Sequence, residues 1–235
     1  NSFTFAAVGS ATRLSYLQAL QGLDDSFEWF GGAVDADHLV SYDSGDDHFD
    51  MSEGYQGRLQ YLIAFQDTLL TPSRASAGGA SGDPTGIEND GCAAPSGATP
   101  CPNGFDAAPF NTPVVANFTL VGSAHTSAGI GMVLRRGTGG HYVNGVIARW
   151  PRAGISLRDS ATIRRAGSTM TPDLATADLA VRNVLVAESP VLLETGSGRV
   201  FLDEAANALT RSTTATLATL FTGVPANASA ATTAA

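Results

Sequence analysis

The sequence predicts an all-β protein, a single-stranded right-handed parallel β-helix that carries a long, disulfide-tied loop insertion. Three observations predict it. The motif Asp24-Asp25-Ser-Phe-Glu-Trp-Phe-Gly-Gly returns as Asp46-Asp47-His-Phe-Asp-Met-Ser-Glu-Gly, 22 residues later, with the acid pair, the aromatic and the next acid in register. Short apolar segments rich in β-branched and aromatic residues accompany the copies, bounded by Gly, Asp or Pro. No helical stretch separates them. A βαβ unit spans about 30 residues or more, so strands at this period belong instead to coils stacked on one another, with like residues above like.

The elements run in order along the chain. Ser2-Phe-Thr-Phe-Ala-Ala-Val reads as a first strand, with Phe3, Phe5 and Ala7 on one face. Leu14–Ala19, Ala36–Tyr42 and Leu59–Phe65 come next, placing Tyr16, His38 and Tyr61 at spacings of 22 and 23. They form one column, in which His38 is expected as a packed wall residue. Later segments, Val115–Val121, Val143–Ala148 and Val181–Ala187, carry Asn117, Asn144 and Asn183 ahead of the same apolar pattern. An inward Asn repeated at a bend can bond its neighbours as a ladder, so these three are the expected structural ladder. Coincidence among turn residues is the alternative. Thr71–Thr112, rich in Gly and Pro, is an insertion after the third coil, and within it Thr85–Asp90 can supply one more strand with Ile87 inward and Glu88 outward. Gly167–Ala177 interrupts a later coil. Phe201–Leu209 reads as a capping helix or a last strand. The expected division is a β-helix over 1–212, with its loop at 71–112, and a partly mobile Ala/Thr-rich segment over 213–235.

Composition narrows the function classes. Of 235 residues 43% are apolar and 15% charged, with mean hydropathy +0.05, too little charge for a disordered acidic tail or a coiled coil. The longest apolar runs are too short to cross a bilayer as a helix. The net charge is −9 and every base is Arg, so nucleic acid is not an expected partner. The charge is uneven: residues 1–56 hold ten acids against one Arg, and residues 135–165 hold one acid against seven Arg.

Cys92 and Cys101 are the only cysteines. Two thiols with no His nearby cannot make a structural zinc site. A disulfide is the better reading; it would contribute roughly 2–3 kcal/mol and imply an oxidising compartment. Two unrelated thiols in a reducing compartment are the alternative.

The acidic repeat carries the sharpest chemistry. Side chains alternate along a strand, so inward Phe27, Trp29, Phe49 and Met51 put Glu28 and Asp50 outward. Coils about 4.8 Å apart then stack Glu28 on Asp50, and Asp24-Asp25 on Asp46-Asp47, with Glu88 and Asp90 as an extension. Like charges so close are unfavourable, and no Lys exists to offset them. Calcium, bound by Asp24, Asp25, Glu28, Asp46, Asp47 and Asp50, would remove the repulsion and is the expected cofactor. Turn acids bonded to backbone N–H groups are the other reading.

Several motifs together resemble a known family. Gly22-Leu-Asp-Asp-Ser-Phe-Glu-Trp-Phe-Gly-Gly, Gly45-Asp-Asp-His-Phe-Asp-Met-Ser-Glu-Gly-Tyr-Gln-Gly, Phe118-Thr-Leu-Val-Gly and Leu134-Arg-Arg-Gly-Thr-Gly-Gly occur in one order across Ser2–Ser160. This chain resembles bacterial secreted or lipid-anchored proteins built of right-handed β-helix repeats. The resemblance implies the fold, export and further coils upstream, and says little about activity.

The expected function is a secreted or cell-surface structural or binding protein. With Phe3 and Phe5 on an uncovered first coil, self-association through exposed ends into a filament, or membership of a longer surface protein, is expected. Carbohydrate is the other expected partner. The alternative is a calcium-dependent polysaccharide lyase or glycoside hydrolase, since carboxylates that hold calcium beside an Arg base suit the first and paired carboxylates the second. Against it, the Gly-His-Gly and Arg-x-Lys motifs that accompany the Asp pair of polygalacturonases are absent. No catalytic residue is expected: the four histidines lack metal-site spacing, and the serines lack a nucleophile elbow. Trp29 and Trp150 would be sugar platforms only if exposed.

Overall fold

Short strands of three to six residues alternate along the chain with long strands of eight or nine, and each kind forms its own sheet. The computed structural model describes residues 1–71, 80–92, 101, 104–122, 129–165, 179–189 and 193–195. The short strands are β1 (Phe3–Ala6), β3 (Phe27–Phe30), β5 (Phe49–Ser52), β7 (Thr85–Asp90), β9 (Ile130–Arg135), β11 (Ala153–Leu157) and β13 (Leu193–Thr195). They stack in that order in one parallel sheet. The long strands β2 (Arg13–Leu20), β4 (Asp35–Tyr42), β6 (Arg58–Phe65), β8 (Val114–Val121), β10 (Gly140–Ala148) and β12 (Leu179–Ala187) stack likewise in a second. This is a parallel β-helix. The expected extra strand at Thr85–Asp90 is β7, paired with β5 and β9. One helix, α1 (Ser160–Arg165), lies between β11 and β12. No helix among the described residues is long and apolar enough to cross a membrane.

The core is the column of inward side chains that this register creates. Phe3, Phe27, Phe49, Ile87, Met132 and Ile155 stack through successive short strands, and all but Phe3 are buried. From the long strands Leu39, Leu62, Phe118 and Val184 face them, also buried. Gly145 occupies the place between Phe118 and Val184. A Cβ there would lie 2.1 Å from the Phe118 ring, so only glycine leaves the ring its space.

Every long strand bends at one residue in the left-handed region: Tyr16, His38, Tyr61, Asn117, Asn144 and Asn183, with φ between 52° and 58°. Pairing breaks at that residue and resumes after it, as in Ser15↔Asp37 and then Leu17↔Leu39. Two successive side chains therefore point outward. Tyr16 stacks on His38 with centroids 4.4 Å apart, and His38 on Tyr61 at 4.7 Å, as the spacing predicts. Two expectations about this column are corrected. His38 is packed between the two tyrosine rings and half-buried, but it lies on the outer wall: Tyr16 is 77% exposed, Tyr61 45%, and the column stands outside the barrel. The three Asn residues continue it and are exposed too, with Asn183 donating to Asn144 at 3.3 Å. The left-handed residue reverses the in–out alternation, which turns the ladder to solvent.

The inward amide pair lies elsewhere. Asn111 donates to Asn89 and to the Met51 carbonyl (3.0 Å), while Asn89 accepts from the Thr138 hydroxyl (2.8 Å) and donates to Tyr142. Cys92, just after β7, is disulfide-bonded to Cys101. The interruption at 167–177, the segment at 201–209 and the Ala/Thr-rich end lie outside the described residues.

Candidate functional site

The outward column of the short-strand sheet carries the charge. Glu28, Asp50 and Glu88 are direct register partners on β3, β5 and β7, and Val133 ends the run on β9. The turns entering β3 and β5 stack as well, because Gly45 lets them approach: a Cβ at Gly45 would lie 2.4 Å from the Leu23 backbone. Ser44 ties the turns by donating to the Asp24 carbonyl (3.0 Å) and the Asp47 carbonyl (2.7 Å).

Carboxylate oxygens converge in three sets, each with atoms within 4.8 Å of one another: Asp24, Asp25 and Asp46; Asp25, Glu28 and Asp50; Asp47, Asp50 and Glu88. All six expected ligands are in these sets, and Glu88 joins them. Asp25 and Asp50 each belong to two sets, so the cluster is continuous over three coils.

The hydrogen-bonded-turn reading accounts for some of these acids and fails for others. Asp25 Oδ1 accepts the Asp47 N–H at 2.9 Å. Elsewhere Asp43 is fully employed, accepting from the Asp67 and Thr68 amides and from Gln21. Asp47, only 5% exposed, repeats the Asp25 position, yet its Oδ1 has no hydrogen-bond partner, nor does Asp50 Oδ1. The insertion after β6 removes the next Asp-Asp turn, and the coil above presents Thr85 at that level. Buried oxygens without donors are costly as anions.

Electrostatics shows the cost. Burial, with Glu28, Asp46 and Asp24 adding repulsion, pushes the Asp25 carboxyl up to about 8. Burial and the Asp90 charge raise Glu88 to about 7, although Arg135 opposes them. Asp47 and Asp50 are raised well above the carboxylate range by burial and by Glu88. Burial also raises Asp46 and Glu28, the latter despite a hydrogen bond from Asn1.

The basic partners come from later coils. Arg135 on β9 gives Nε to Asp90 Oδ1 at 2.6 Å and Nη2 to Glu88 Oε2 at 2.5 Å. Arg136 also bonds Asp90. Beside them opens a polar cleft of about 250 Å³, lined by Asp46, Asp47, Asp83 and Glu88 and by Arg135 and Arg158. Sequence reasoning placed the acids in a column but not these arginines. The usable signal was alternation: inward Asn89 and Leu134 put Asp90 and Arg135 outward. What alternation could not supply was the register of β9 on β7, because the chain between Asp90 and Ile130 does not keep the 22-residue period.

Other candidate residues lie away from this face. Trp29 and Trp150 are both buried, so neither is a sugar platform. His48 is inside, bonded to Ser41 at 2.6 Å, and burial lowers it to about 4, leaving it neutral. A second concavity of about 540 Å³ runs along the bend of the long strands, beside Tyr16, His38, Tyr61 and Asn117.

The parallel β-helix fits the result of comparison with protein families: the family described as the pectate-lyase-like β-helix domain matches residues 1–228. The chain belongs to this family. Comparison with curated proteins and with solved structures finds no match.

Proposed function

We propose that this protein is an extracellular binding protein that holds a divalent cation, calcium by its ligand chemistry, on the short-strand face and uses it to engage an acidic polysaccharide. The observation that carries the reading is the set Asp47, Asp50 and Glu88, converging within 4.8 Å with two oxygens that no donor reaches. Hard carboxylate oxygens with little competing hydrogen bonding suit calcium, which tolerates irregular geometry better than magnesium does. A sugar acid would meet both the ion and Arg135 or Arg158 across the cleft. The disulfide supports an oxidising, extracellular setting.

Cleavage is the second reading, and one observation favours it. Glu88, held near 7 among ionisable carboxylates, has the proton affinity of a general acid working near neutral pH. Elimination is less well served, because a lyase base must shed its proton, and Asp90 and Glu88 hold Arg135 firmly protonated. The experiment is to titrate calcium into the purified protein, then incubate it with acidic polysaccharides with and without calcium. Calcium binding plus polysaccharide retention without product is the expected outcome. Steady release of reducing ends or unsaturated products, abolished by Asp47→Ala, would replace binding with catalysis, and absence of calcium binding would overturn the reading.

A further inference from the structure

Glu88 is the one acid of the cluster that faces two ways. Its carboxylate converges with Asp47 and Asp50, whose Oδ1 atoms lack donors, and its Oε2 also accepts Arg135 Nη2 at 2.5 Å. Arg135 has a second anchor, since Asp90 takes its Nε at 2.6 Å and its Nη2 at 3.2 Å. Asp90 is buried and also holds Arg136. Arg158 also lines the cleft, its Nε donating to Ser156 Oγ at 3.1 Å.

We propose that Glu88 is a latch coupling two sites: a cation at Asp47, Asp50 and Glu88 releases Arg135 from Glu88, and the freed guanidinium, still held by Asp90, forms with Arg158 a subsite for a sugar carboxylate. The latch rests on the proposed function and adds its order and its regulation. Without a cation, Asp46, Asp47, Asp83 and Glu88 line the cleft together with Arg135 and Arg158, and Arg135 Nη2 is shared between Glu88 and Asp90. A divalent ion supplies two positive charges, draws the Glu88 oxygens to itself and repels the guanidinium. The same event therefore brings positive charge to the cleft and frees the Nη2 hydrogen that Glu88 held. Because Arg135 keeps its bidentate contact with Asp90, it remains aimed at the cleft. Asp90 is thus a positioning residue and Glu88 the switching one. Linkage requires that the anion tighten the cation by the same factor.

Calorimetric titrations of the full chain test this with calcium alone, with glucuronate as the anionic probe and with glucose as the neutral control. Glucuronate should bind about tenfold or more tightly in saturating calcium than in chelator, within the usual range of coupling between sites. Calcium should tighten by the same factor in saturating glucuronate, and glucose should show no such change. Arg135→Gln should retain calcium binding and bring the coupling factor close to one. If R135Q does not fold, R135Q combined with D90N, which removes both charges of that pair, carries the same readout. Calcium binding with a glucuronate affinity that calcium does not change, or a coupling factor that survives loss of Arg135, would overturn the latch alone. Absence of calcium binding would overturn the proposed function and the latch together.

Discussion

The two outward columns of this β-helix obey one period and meet opposite fates. On the bend of the long strands, Tyr16, His38 and Tyr61 stack ring on ring and Asn144 meets Asn183 amide to amide. On the short-strand face, Glu28, Asp50 and Glu88 stack carboxylate on carboxylate. Repetition at strand spacing helps groups that attract their own kind, and rings and amides do. It penalises groups that repel their own kind. A solvated ridge is thus its own explanation. A half-buried acidic column is not, and Asp47 Oδ1 and Asp50 Oδ1 have no hydrogen-bond partner.

The strongest way to break this contrast is to supply the ion. Millimolar calcium at pH 7.5 should raise the melting temperature by several degrees relative to chelator, since at a hundred times its dissociation constant a ligand contributes about 2.7 kcal/mol. Asp50→Asn should lose most of that response, because Asp50 belongs to two of the three carboxylate sets. An identical melt with and without calcium leaves the acidic face as unexplained as it began.

Proton binding gives the next largest effect. Asp25 and Glu88 have folded values near 8 and 7, above their unfolded ones, so the stability they contribute is complete below the unfolded values and is lost as pH rises through 7 and 8. His48 acts in the opposite sense: lowered to about 4, it contributes stability above the unfolded value near 6.5 that is lost as pH falls toward 4. Between pH 6.5 and 8.5 the carboxylates dominate. Denaturant midpoints in chelator should therefore fall across that window, and calcium should flatten the slope; a slope unchanged by calcium would detach the acids from any ion.

The ridge should respond on a smaller scale and independently. Asn144 is left-handed at φ 56°, where Ala is disfavoured by about 1–2 kcal/mol. Asn144→Ala should lower stability by roughly 1 kcal/mol and leave the calcium response intact. Tyr16→Ser should matter least, because Tyr16 is 77% exposed and covers only one face of His38. Its effect should stay within about 0.5 kcal/mol. A loss of calcium response in either variant would show that the two faces communicate.

Much of the fold was legible because the signal was local and repeated. The 22-residue offset fixed the register of Phe27 on Phe49 and of Glu28 on Asp50, and alternation alone put the acids outward. The same reasoning misplaced Asn117, Asn144 and Asn183. A single left-handed residue swaps inside and outside for the rest of its strand, and Tyr or His at half of these bends does not advertise that backbone state as Gly would. His38 packs in its column as expected, but on the outer side of the wall for the same reason.

The candidate site divides along the same line. Local sequence determined which acids share a column, because neighbouring coils differ by one period with little inserted between them. Only the tertiary structure decided that Asp90 meets Arg135, that Asp47 and Asp50 keep oxygens without donors, and that Glu88 belongs to both the acids and the arginines. Those facts depend on how coils close across loops of unequal length and on which donors the closed barrel leaves within reach. Period and alternation carry no information about either, since both describe one strand at a time and charge burial belongs to the assembled stack.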